Sequence, residues 1–324
     1  MKPIGIFLVL LAIATGSAWA QSTCSTAAEM DATNKNSIQQ AAERYAQLAI
    51  AGDAQTLRSN AAPALASSFA SVQTALDSNK NNFAAAQAST RSVFLLEQSA
   101  PNPKGEFFCG VMNAGDYTAF AIPNLPPGRY AVAVEDVKGG KSALTISEIL
   151  QQQGNAWKLA GFYVRQSQIG SHDGTWYLQQ ARELKSRGQN RTAWFYYLTA
   201  WTLQAPLSFM SNNQLDKIAD EMQRVRPPDL PTAQSPMSLA AGGKTFQVIS
   251  LEALPVGDAL DLVVRYKTSS IADTRQTFAD NMSVMKAVMD QYPEYRQAFG
   301  AVVARAVDPS GQDYGSMMET AKLK

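Results

Sequence analysis

Apolar residues at Ile38, Ala41, Ala42, Tyr45, Leu48 and Ala49 recur at i, i+3, i+4 spacing and predict an amphipathic helix from a Ser37 cap to Ile50. Gly52-Asp53 stops it and starts another helical turn through Leu57. Pro63 then opens a long Ala-rich helical stretch with Leu65, Phe69, Val72, Leu76 and Phe83 as its buried stripe. From Ser92 the period shortens to that of strands. Strands are predicted over 92–98, 106–112, 117–122, 130–137, 142–152 and 157–165, and the Pro/Gly-rich breaks at 123–128, 138–141 and 153–155 separate the later ones. Residues 37–168 thus read as three helices followed by a meandering antiparallel sheet.

Helical periodicity returns over residues 174–206. Tyr177, Ala181, Leu184, Gly188, Ala193, Tyr197, Ala200 and Pro206 fall close to the spacing of a tetratricopeptide-type hairpin, which this segment resembles. Small residues at Ala181, Ala193 and Ala200 let two helices approach, and a further helix over 213–225 packs on them. One such repeat cannot bury its own face, so the aromatic run Trp194, Phe195, Tyr196, Tyr197 and Trp201 is either an interdomain core or a protein-binding groove. Tyr196, Tyr197 and Trp201 are the candidate partner contacts. The Pro/Ser/Ala/Gly-rich stretch 227–243 reads as a linker. Residues 244–324 read β-β-α-β, with a helix capped by Asp273 or Thr274 and a stripe of Phe278, Met282, Met285 and Met289.

The order of elements in 37–168 resembles the nuclear transport factor 2-like superfamily. The resemblance is carried by Ala42-Glu43-Arg44-Tyr45, by Ala51-Gly52-Asp53 with Leu57, and by the closing hairpin Gly154-Asn155-Ala156-Trp157-Lys158-Leu159-Ala160-Gly161-Phe162-Tyr163. It implies a cone-like domain in which helices and a curved sheet enclose an apolar cavity, sometimes with a carboxylate or tyrosine inside. Tyr45, Tyr130, Asp136, Glu148 and Tyr163 are the candidate cavity residues on that resemblance. The Ala-rich segment before the first strand is longer than the family pattern.

The expected architecture is therefore α+β. It divides into a signal peptide (1–20), a flexible lead-in (21–36), the cone-like domain (37–168), the helical hairpin (169–226), the linker (227–243) and the β-β-α-β domain (244–324). The first segment rests on Lys2, the apolar run from Ile4 to Ala14 and Ala18-Trp19-Ala20, which have the layout of a secretory signal with cleavage after Ala20. The run is shorter than the ~20 residues a membrane span needs. Gln21 and Thr23 fit a lipobox poorly, although lipidation of Cys24 stays open as an alternative. A periplasmic or secreted chain with no membrane span after cleavage is the expectation. In an oxidising compartment Cys24 and Cys109 are expected to pair, the alternative being two unrelated thiols.

Composition narrows the chemistry. The 28 basic and 27 acidic residues nearly cancel, and cleavage removes one Lys, so no broad electrostatic footprint for nucleic acid is expected. One His and two Cys exclude the common single-chain zinc sites, and no metal or cofactor is expected. His172 stands in Gly170-Ser171-His172-Asp173-Gly174, which is not a nucleophile-elbow order and reads as a solvated linker. The sequons at Asn190 and Asn281 lie in predicted helices. Three readings follow. The first is an exported, non-catalytic binding or scaffold protein that engages an envelope protein or a small apolar ligand. The second is a cavity-based isomerase, dehydratase or hydrolase-like enzyme, and the third a structural envelope protein with no ligand.

Overall fold

A computed structural model describes residues 22–110 and 115–323. The expected signal segment 1–20 lies outside the described residues. The fold is α+β, with helices and an antiparallel sheet first, a helical pair next, and a mixed five-stranded sheet with a helix last.

The described residues begin with strand β1 (Ser22–Thr26) where a flexible lead-in was expected. β1 pairs antiparallel with β2 (Gln87–Gln98), Cys24 lying opposite Leu96. Helix α1 (Ala32–Ile50) starts a turn and a half before the predicted cap. Asp31 caps it by accepting from Asn34 N at 2.8 Å. Helices α2 (Ala54–Ser59), α3 (Pro63–Ser67) and α4 (Ala70–Phe83) follow, the Ala-rich stretch being broken at Ser68-Phe69. After β2 come β3 (Glu106–Gly110), β4 (Tyr117–Ala121), β5 (Gly128–Lys138), β6 (Leu144–Gln153) and β7 (Ala156–Gln166). The main sheet has the order β1-β2-β5-β6-β7.

Both faces of this sheet are buried. One carries Val93, Leu95, Ala131, Ala133, Leu144, Ile146 and Phe162 against Ile38, Ala42, Tyr45 and Leu76 of the helices. The other carries Phe94, Leu96, Tyr130, Val132 and Ile149 against Phe107, Cys109 and Phe120 of β3 and β4. Burial on both sides is why β5 carries the unbroken apolar run Tyr130–Val134. The Cys24–Cys109 disulfide is formed and ties β1 to the second layer across 85 residues of sequence.

A short hairpin, β8 (Gln168–Ile169) and β9 (His172–Asp173), leads into α5 (Gly174–Ser186) and α6 (Asn190–Gln204). Ala181, Ala193 and Ala200 are fully buried between these helices. A Cβ on Gly174 would meet Gln204 Cγ at 2.5 Å and Ala200 O at 3.0 Å, so the close approach at the start of α5 depends on glycine. The chain then adds β10 (Met210–Asn212) to β4 and forms α7 (Asn213–Arg224). The helical pair thus bonds backbone-to-backbone with the second layer through its own continuation.

The expected linker contains an edge strand, β11 (Met237–Ala241). It starts the sheet β11-β12-β13-β14-β15, built with β12 (Lys244–Val256), β13 (Ala259–Lys267), β14 (Ala301–Val307) and β15 (Asp313–Glu319). β13 and β14 are parallel, joined by α8 (Thr274–Gln291) and α9 (Tyr295–Ala298). Of the two candidate caps, Asp273 and Thr274, it is Asp273 that caps α8. The stripe of α8 differs from the expectation. Met285 and Met289 of the expected stripe are fully buried, with Val284 and Val288 beside them, but Met282 is half-buried and Phe278 is 48% exposed. Asn281 is also fully buried and accepts from Tyr266 Oη at 2.9 Å, which accounts for its sequon as a chance match in a core position.

Candidate functional site

Two carboxyl groups lie inside the helix-covered layer. Glu135 on β5 and Glu148 on β6 are both fully buried. Glu148 stands opposite Ala133 and Glu135 opposite Ile146, which makes the two glutamates diagonal neighbours on one face. Small residues of α1, Ala42, Ala46 and Ala49, are buried in the same layer. Thr90 Oγ donates to Glu135 Oε1 at 3.1 Å and lies 3.5 Å from Oε1 of the exposed Glu43 on α1. Glu135 Oε2 and both oxygens of Glu148 have no hydrogen-bond partner.

Burial pushes the Glu135 carboxyl up to about 7, with Thr90 opposing and Glu43 assisting. Burial also holds Glu148 well above the usual range, and the Glu135 charge adds to it. Burial therefore favours the protonated form of each in the folded chain. Because the folded chain holds the Glu135 proton more tightly than the unfolded one, its cost is absent below about pH 4.5, the ordinary glutamate value, builds as pH rises from there and is complete above about 7. Glu135→Gln keeps an acceptor for Thr90 and removes the titration. It is expected to raise unfolding free energy by about 2 kcal/mol at pH 8 and to leave it nearly unchanged at pH 4.5. Urea unfolding at the two pH values reads this; an equal effect at both would show that ionisation is not the cause.

Of the residues expected in the cavity, only Tyr45 and Glu148 belong to this layer. Tyr45 is a structural tyrosine whose hydroxyl donates to Trp157 O at 2.8 Å. Tyr130 and Asp136 do share a side of β5, but it is the opposite one. Tyr130 packs toward β3 and β4 and donates to Pro126 O at 3.0 Å. Asp136 forms a half-exposed ion pair with Arg91 at 2.8 Å. Tyr163 also faces away from the helices, 38% exposed, its ring 5.5 Å from that of Phe209. Alternation separates the two sides of a strand, but not which side meets the helices. Glu135, which that reasoning missed, had a usable signal: it continues the apolar run Tyr130–Val134, and an acid in a doubly buried strand is itself buried.

The hairpin aromatics form interior, not groove. Tyr196 and Tyr197 are buried, and their hydroxyls donate to Ala298 O at 2.6 Å and Glu221 Oε2 at 2.9 Å. Trp201 is half-buried against the same cluster. The interdomain alternative thus describes this face, because the C-terminal sheet and α7 cover it. His172 stacks on Trp176 with ring centres 3.8 Å apart.

Open clefts lie elsewhere. A cleft of 340 Å³ where the end of β7, α6 and the β12–β13 hairpin meet is mainly apolar, lined by Ile169, Leu198, Leu203, Leu254, Pro255 and Leu260. Leu254 and, beside it on β12, Val256 are about 40% exposed, at 39% and 41%. A polar cleft of 620 Å³ separates the Arg91–Asp136 pair from the start of α5. Among the described residues no group of three or more His, Cys, Asp or Glu could hold a metal ion, and no helix is long and apolar enough to cross a membrane. No family model, curated protein or solved structure matches the chain.

Proposed function

We propose that this chain is an exported, non-catalytic binding protein of a bacterial-type envelope, with a nuclear transport factor 2-like first domain, and that its junction cleft takes a small apolar ligand. The observation that carries the reading is that cleft. Its 340 Å³ lies in the range of small-molecule sites, and its walls come from the end of the first sheet, the helical pair and the last sheet together. The formed disulfide suits an oxidising compartment, and with the signal-type start it supports a periplasmic or secreted location. Full burial of Glu148 weighs against a cavity enzyme, since a substrate has no surface of that carboxyl to meet.

The test is a fluorescence titration with N-phenyl-1-naphthylamine. The unmodified chain is expected to bind the dye saturably, and Leu254→Asp to weaken binding about tenfold by replacing an apolar wall with a charge. Leu254 is partly exposed, so the melting temperature is expected to hold. Equal dye affinity in a folded L254D variant would remove the cleft as the site.

A further inference from the structure

We propose that α1 is a pH-gated cover over the Glu135–Glu148 pair, closed while the two carboxyls carry their protons and loosened from β5 and β6 when they lose them. The argument begins with what surrounds the pair. From α1 come Glu43, a like charge, and Tyr45, whose hydroxyl is committed to Trp157 O. Of the two cations of that helix, Lys35 and Arg44, Arg44 is exposed and acts on Tyr45. From β2 comes the single hydroxyl of Thr90, which lies between Glu135 and Glu43 and has one proton to donate. The neighbouring strands and α4 contribute apolar groups to the layer, among them Ile146, Phe162, Val72 and Leu76. The pair therefore faces a third carboxylate and hydrocarbon, while three of its four oxygens are without a partner.

A carboxylate in that setting has one inexpensive route to relief, which is water. The element easiest to displace is the one held by the smallest side chains. α1 buries Ala42, Ala46 and Ala49 at its inner face, alongside Ile38 and Tyr45, so much of its hold is through methyl groups. Glu43 sits on the same helix, and Thr90 joins it to Glu135 at the margin of the layer. Water entering along that margin would reach Glu135 first and Glu148 behind it. The raised proton affinity of both groups agrees with this geometry.

The experiment is hydrogen exchange by mass spectrometry on the purified chain at pH 5 and pH 8, with rates corrected for the intrinsic pH dependence of exchange. In the unmodified chain, peptides from α1 are expected to lose protection by about tenfold or more at pH 8, while α8 peptides keep theirs. In E135Q/E148Q the α1 difference is expected to vanish. If the double variant fails to fold, E135Q alone serves, with a reduced difference expected. Equal pH responses of α1 in variant and unmodified chain would overturn the proposal. So would parallel loss in α1 and α8, which would mean that ionisation loosens the whole chain and gates nothing.

Discussion

Reduction of the Cys24–Cys109 disulfide is expected to lower the melting temperature by about 10 °C. The bridge closes a loop of 85 residues, and releasing a loop of that size frees the unfolded chain by about 4–5 kcal/mol in the chain-entropy account. The local structure gives a second reason. β1 is an edge strand of five residues, held by pairing with β2, by this bond to β3 and by Asn102 Nδ2 donating to Ser22 Oγ at 3.1 Å. Cys109 is fully buried with Phe94, Leu96, Phe107 and Phe120, so loosening β1 also loosens the second layer. Calorimetry with and without tris(carboxyethyl)phosphine measures the effect. The C24A/C109A variant should melt at the reduced temperature and ignore the reductant. An unchanged melting temperature after thiol titration confirms full reduction would show that the bridge contributes little.

Phe195→Ala is expected to cost about 3–5 kcal/mol, the range for emptying a large buried aromatic site. Phe195 of α6 is fully buried, with ring centres 6.0 Å from Tyr295 and 5.8 Å from Phe299. Those two residues belong to the α8–β14 connection, so the cavity would open between the helical pair and the last sheet. The second contact there, Tyr196 Oη to Ala298 O, would remain. Urea unfolding should show a lower midpoint, and limited proteolysis should cut faster in the 226–236 segment, whose Asp229 is held by an ion pair to Arg191 at the start of α6. A loss below about 1 kcal/mol would mean that the interface closes over the gap and that Phe195 is not its anchor.

Much of the architecture was legible because it depends on local period and on punctuation. Strands β2, β5, β6 and β7, the Gly174–Gln204 helical pair and a cap at 273 or 274 all follow from spacing and from residues with one good local use. Errors fell where local rules are silent. Residues 22–26 look like a polar tail, yet they form a strand because β2 offers an unpaired edge and Cys109 a partner. Met237–Ala241 looks like linker for the same reason, since its pairing with β12 is supplied from outside the segment. Phe278 fits an apolar stripe by period, but the packed face of α8 is centred on Val284 and Val288, where Tyr266, Asn281 and Ser316 set the fit.

The candidate site divides in the same way. Sequence alone determined that the chain is α+β, that the two cysteines were expected to pair, with unrelated thiols or lipidation of Cys24 as the alternatives, that the common single-chain zinc sites lacked the residues, and that the one His stands in no nucleophile-elbow order. It also put Glu148 in a strand with apolar neighbours. Only the tertiary structure decided that a second layer covers the far side of β5, which sends Tyr130 and Asp136 away from the helices and brings Glu135 beside Glu148. It also decided that the aromatic hairpin face is interior, leaving the apolar cleft beside Leu254 open. The physical reason is that alternation has period two and no direction. A strand's sequence separates its two sides, but what covers each side is settled by elements far along the chain whose approach depends on shape and total burial.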